Sequence, residues 1–140
     1  MIYYPAKITH DKRDNAFLVE FPDLPGCLTF GSTLTEAQDH AKEALTGYLE
    51  SLDQRSQTIP RPSVIKGKNV YLIKPDKPVA FAIWLKKQRE DQGLSQKVIA
   101  RKLGISYQTY QRFENPTKSN PTLKTIQKLE EVFGKELLVV

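Results

Sequence analysis

The sequence predicts an α+β protein in two parts: a small sheet of three to four strands carrying one helix, then a segment built only of helices. Three observations predict it. From Ile2 to Phe30 apolar and polar residues alternate between turn-forming clusters, as they do in half-buried strands. From Leu34 to Leu52 apolar residues recur every three or four positions, as on the buried side of a helix. From Leu94 to Asn115, LSQKVIARKLGISYQTYQRFEN, glycines and serines punctuate two short helices joined by a tight turn.

Taken in order, IYYPAKITH (2–10) reads as a strand with Tyr4, Ala6 and Ile8 on one face and Tyr3, Lys7 and Thr9 on the other. Asp11 to Asn15 is a polar turn. Ala16 to Phe21 is a second strand, with Phe17, Val19 and Phe21 facing away from Leu18 and Glu20. The prolines of Pro22-Asp23-Leu24-Pro25-Gly26 cannot donate to a sheet ladder, so pairing breaks there and resumes in a short third strand, Cys27 to Phe30, closed by Gly31. Thr33 and Glu36 have the spacing of a capping box, and Leu34, Ala37, Ala41, Leu45, Tyr48 and Leu52 form the stripe that the helix lays on the sheet. A Pro-rich linker, Ile59-Pro60-Arg61-Pro62, leads to one more strand at Val70–Ile73, after which Pro75 and Pro78 separate the halves.

In the second half, Phe81, Trp84, Leu85 and Gln88 are expected to form the inward side of a first helix. Gly93 can close it in the left-handed backbone, Ser95 can cap a helix from Gln96 to Leu103, Gly104 ends that one, and Ser106 can cap the next from Tyr107. Val98, Ala100, Leu103, Ile105, Tyr110 and Phe113 are the expected shared core. Leu123, Ile126, Leu129 and Phe133 line a last helix between the cap Thr122 and the stop Gly134. The terminal Glu136-Leu137-Leu138-Val139-Val140 either pairs as a strand with its copy in a second chain or packs back on its own domain. The expected domains are 1–75 and 80–140, with 76–79 as linker.

Charge divides the chain as the periodicity does. Residues 1–62 hold six Lys/Arg against nine Asp/Glu, a balance of −3, and residues 63–140 hold fifteen against seven, a balance of +8. A basic half suits phosphates and an acidic half suits a basic partner. No apolar run approaches the roughly 20 residues of a membrane span, and the start lacks the apolar core of a signal peptide, so a cytoplasmic location without membrane contact is expected. The single cysteine, Cys27, fits a reducing compartment.

The helical punctuation resembles the Xre/Cro/phage-repressor class of helix-turn-helix domain, with its leading Gln, Gly-Ile/Val-Ser turn and closing Glu-Asn. Gln96, Gly104-Ile105-Ser106 and Glu114-Asn115 match that pattern, and Pro116 departs from it, standing where the class usually carries Gly. The resemblance implies operator DNA as a partner. Gln96 and Asn115 would then anchor phosphates, and Ser106, Tyr107, Gln108, Thr109, Gln111 and Arg112 would lie at the start or on the outer side of the helix presented to the major groove, where Gln can pair with adenine and Arg with guanine. One helix reads few base pairs, so a homodimer or higher even oligomer is expected.

The block FPDLPGCLTFGSTLTEAQDHAKEAL, Phe21 to Leu45, resembles the signature of HicB-family antitoxins. That resemblance covers about residues 1–75. It implies a truncated RNase H-like fold, a small HicA-type RNase toxin as partner, and repression of the antitoxin's own operon by the appended DNA-binding domain. Acidic residues such as Glu20 and Asp23 would speed the encounter with a basic toxin. The rival reading is a ligand-responsive repressor without a toxin. Catalysis is not expected: Asp11 and Asp14 fall in a turn, Asp23 in a Pro loop, and the helical carboxylates on a solvent side, so no metal cluster forms. His10, His40 and Cys27 have no third orienting group, and neither a zinc ligand set nor a phosphate loop is present, so no cofactor is expected.

Overall fold

A computed structural model describes residues 2–136, which fall into two compact units, 2–76 and 77 onward. In the first, β1 (Tyr4–Asp11), β2 (Ala16–Glu20), β3 (Leu28–Gly31) and β4 (Val70–Ile73) form a wholly antiparallel sheet in the order β3-β2-β1-β4, and α1 (Leu34–Gln54) follows β3. The alternation decides which side α1 covers. Tyr4, Ala6, Ile8, Val19 and Phe21 are buried with Ala37, Ala41, Leu45, Leu49 and Leu52 of the helix, while Tyr3, Lys7, Thr9, Leu18 and Glu20 stand on the open side. Two positions differ from expectation. Leu49 is fully buried, and Tyr48 beside it is half-buried, its hydroxyl donating to the Pro25 carbonyl at 2.7 Å. An amphipathic phenol suits the margin of the stripe and an isobutyl group its centre.

Thr33 caps α1 as its spacing predicts, its Oγ1 accepting from the Glu36 amide at 3.1 Å. Gly31 lets β3 touch the helix start: a Cβ there would lie 2.4 Å from the Ala37 nitrogen. The Pro-rich segment after α1 is tied down. Tyr4 donates its hydroxyl to the Pro60 carbonyl at 2.6 Å, and Asp23 accepts from both the amide and the hydroxyl of Ser63. Burial, reinforced by the charge of Asp23, pushes the Tyr4 phenol up to about 12.

The second unit holds α2 (Lys77–Asp91), α3 (Gln96–Leu103), α4 (Tyr107–Phe113) and α5 (Leu123–Phe133). Residues 76–79, expected as a linker, are largely helix. α2 begins at Lys77 and Pro78 occupies its first turn, where a missing N–H breaks no helical bond. Phe81, Leu85, Ile99, Ala100, Leu103, Tyr110, Ile126, Leu129 and Phe133 form the core, with Trp84, Leu94, Ile105, Phe113 and Val132 packed at its margin. Ile99 takes the place expected of Val98. It stands four residues before Leu103 and so on the same side of an eight-residue helix, whereas Val98 is rotated off that side and is half-buried. The terminal strand proposed for 136–140 lies outside the described residues from 137 on.

Candidate functional site

Local chemistry fixes the α3–turn–α4 unit. Ser95 Oγ accepts from the Val98 amide at 3.2 Å, and Ser106 Oγ accepts from the Thr109 amide at 3.1 Å. Between them Gly104 takes φ 70°, the left-handed region that lets the Ile105 amide turn back to the Ala100 carbonyl at 3.1 Å. Ile105 then plugs the core margin.

A buried ion pair ties this unit to α2. Arg89 donates from Nε to Glu114 Oε2 at 2.7 Å, from Nη2 to Oε1 at 3.0 Å, and from Nη1 to the Leu94 carbonyl at 2.9 Å. The two side chains are only 13% and 3% exposed. Gln96 Nε2 adds a third donor to Oε1 at 3.1 Å. One carboxylate therefore joins the end of α2, the start of α3 and the end of α4. Hydrogen bonding to Glu114 holds the Arg89 proton even more firmly than usual, and burial, with that carboxylate nearby, raises the Tyr110 phenol well above its ordinary value. Arg89 itself carries no local sequence signal of this role. The signal was Glu114: a carboxylate at a helix C-terminus opposes the helix dipole, so burying it demands a cation.

The side chains expected to meet DNA divide into two groups. Gln108, Thr109, Gln111 and Arg112 are exposed on α4, and Tyr107 is half-buried with Lys97 Nζ 5.4 Å from its ring centre. Ser106, Gln96 and Asn115 hold structure as well. Ser106 caps α4 and also bonds the Thr109 hydroxyl at 2.7 Å, Gln96 braces Glu114, and Asn115 Oδ1 accepts from the amide and hydroxyl of Thr117 at 3.0 and 2.8 Å. That Asn115 turn seats Pro116 in a buried position where the helix-turn-helix class carries Gly. Lys97, Arg101 and Lys102 are exposed on α3. The basic run was visible in sequence, but its side was not.

In the sheet unit, the structure separates Glu20 from Asp23. Glu20 is exposed on the open face of the sheet in register with Lys7, whereas Asp23 is half-buried and occupied by Ser63. His40 Nδ1 lies 2.7 Å from the Phe30 carbonyl, and that hydrogen bond, with the carboxylates of Glu36, Glu43 and Asp39, raises its pKa. Cys27 is buried and its thiol is pushed up to about 11 by desolvation, the opposite of an activated nucleophile. Among the described residues no His, Cys, Asp and Glu converge in a group able to hold a metal ion, and no helix is long and apolar enough to cross a membrane.

The family model for HicB-like antitoxins of bacterial toxin–antitoxin systems matches residues 4–84, more than half of the chain. The chain belongs to this antitoxin family. A helix-turn-helix model matches residues 85–140, so this HicB-like antitoxin carries a DNA-binding type of domain after its sheet unit. Antitoxin HicB of Escherichia coli (strain K12) is 28% identical over 137 residues, covering 98% of this chain and 97% of that one. Antitoxin HicB 2 of Photorhabdus laumondii is 30% identical over 137 residues, covering 98% and 94%. The crystal structure of the N-terminal domain of Burkholderia pseudomallei antitoxin HicB superposes with a TM-score of 0.48 at 22% identity, over 54% of this chain and 99% of that one. The family is one of antitoxins and not of enzymes.

Proposed function

We propose that this chain binds and neutralises a small, basic HicA-type mRNA-cleaving toxin through its sheet unit, and that its helix-turn-helix, working as a dimer, represses the operon encoding both. The observation that carries the DNA half is the contrast within α4. Tyr110 is fully buried, while Gln108, Gln111 and Arg112 project from a helix immobilised by that core and by the Arg89–Glu114 pair. Side chains held on a rigid element are what base reading requires. Lys97, Arg101 and Lys102 supply the phosphate contacts, with Gln96 and Asn115 at the ends of the motif. The toxin half rests on family membership and on the carboxylate excess of the first 62 residues. With Asp23 occupied by Ser63, the electrostatic draw on a basic toxin falls to the helix, where Asp39 and Glu43 are exposed.

One variant separates the two halves. Arg112→Ala should weaken binding to the chain's own promoter, relax preference at one position of each half-site by about 1–3 kcal/mol, and leave capture of the protein encoded by the neighbouring gene unchanged. Fluorescence anisotropy against a panel of single-base operator variants reads the first, and co-purification reads the second. Equal loss on every sequence would remove base reading from Arg112. If no small basic protein co-purifies, and a metabolite instead raises the melting temperature, the head is a ligand sensor.

A further inference from the structure

We propose that the open face of the sheet docks a second copy of this chain, face to face, about a two-fold axis running along the seam between β1 and β2. The face is apolar beyond what a solvated sheet needs. Leu28, Phe30 and Leu72 are 64%, 63% and 66% exposed, and Leu18 and Tyr3 are 45% and 43% exposed. Leu18 lies directly opposite Phe30, with Leu28 two residues along the same strand, so these three form one apolar group, and Leu72 lies across the Glu20–Lys7 pair from it. A patch of that kind, on the order of a few hundred Å², marks an interaction surface.

The row across the middle identifies the occupant. In register it reads Leu28, Glu20, Lys7, Val70, one residue from each of the four strands. It runs apolar, acid, base, apolar, which is its own complement when turned about the β1–β2 seam. A two-fold along that seam sets each Glu20 over the partner copy's Lys7 and each Leu28 over the partner copy's Val70. This is the condition for an isologous interface, in which each residue meets the one that meets it in return. The strand order β3-β2-β1-β4 allows it, because the seam divides the sheet into two strands on either side. Strands about 4.8 Å apart give a face roughly 15–20 Å across, over which a second sheet packs at about 10 Å. A strongly basic protein gains little here, since the two charges of the row cancel and the carboxylates at 36, 39 and 43 belong to the helix that covers the opposite face. One unit thus offers its own kind an apolar side, to which Lys74 Nζ, 5.2 Å from the Tyr3 ring centre, adds a positive charge, and offers a basic toxin an acidic side. The dimer surface stands whether or not the toxin reading does.

The test uses the full-length chain in two differently tagged versions, Leu28→Cys and Val70→Cys, mixed and treated with a short bismaleimide. Buried Cys27 stays silent in both. The expected product is a cross-link between the two versions, in excess of either version linked to itself. Adding Lys7→Glu to both versions, or Glu20→Lys to both, should lower its yield on the order of tenfold by setting like charges over each other. Placing Lys7→Glu in one version and Glu20→Lys in the other should restore it, because both cross-interface pairs are again opposite, and that rescue also shows that the variants fold. Yields indifferent to these reversals, or no mixed product, would overturn the proposal. So would a thiol at position 28 protected only when the protein from the neighbouring gene is added, which would give the face to the toxin. Operator binding, measured on the same samples, reports on the proposed function independently.

Discussion

At the scale of single residues, two polar contacts decide more than their surroundings suggest. The Arg89–Glu114 pair is desolvated and bidentate, so removing one partner strands a buried charge. Arg89→Ala should cost the helical unit about 3–5 kcal/mol, read as a lower denaturation midpoint in urea followed by helix circular dichroism. A change under about 1 kcal/mol would put the pair in the class of surface bridges. His40 is a pH-sensitive group. Its folded-state pKa is raised by the Phe30 carbonyl and the carboxylates around it, so the stability it contributes is fully present below the unfolded value of about 6.5 and is lost as pH rises through the higher folded value. NMR titration of its ring protons should show a midpoint above 6.5, and a midpoint at or below that value would mean that the contact with β3 does not persist in solution.

At the scale of elements, the contact between β3 and the start of α1 is the tightest constraint on the sheet unit. A methyl group at position 31 would meet the Ala37 nitrogen at 2.4 Å and its Cα at 2.7 Å, both backbone atoms that cannot rotate away. Gly31→Ala should therefore push the helix off the strand and lower stability by about 1–3 kcal/mol or more, seen as a loss in the thermal midpoint of the full chain. An unchanged midpoint would show that the helix start can move at no cost. In the helical unit the corresponding constraint is the pair of serine caps that frame the turn between α3 and α4, since each satisfies an amide the helix itself leaves unpaired.

At the scale of the whole molecule, charge is sorted along the chain: −3 over residues 1–62 and +8 over residues 63–140. Phosphate contacts by several cations release counterions, so operator affinity should fall steeply with salt, by about 10³-fold or more between 50 and 200 mM if six or more phosphates are engaged. A flat dependence would argue that the basic side does not track the duplex. Capture of the proposed basic toxin should also slow with salt, but in its on-rate more than in its final affinity.

The sequence by itself determined the element order, the Ser and Thr caps of α1, α3, α4 and α5, the glycines that end α3 and α5, and the covered side of β1 and β2. These follow from local rules: a two-residue period, a Ser or Thr hydroxyl at an unpaired amide, a glycine where φ must be positive. The helix near Gln96–Leu103 was legible in its approximate bounds because both ends carry such a signal. Tertiary structure alone decided the pairings distant in sequence. It joined Arg89 to Glu114, anchored Asp23 to Ser63, placed Ile99 and not Val98 in the core, and aligned Leu28, Glu20, Lys7 and Val70 across four strands. Register and ion pairing depend on which segments meet in space, and the composition of a segment says what it can bury but not against whom.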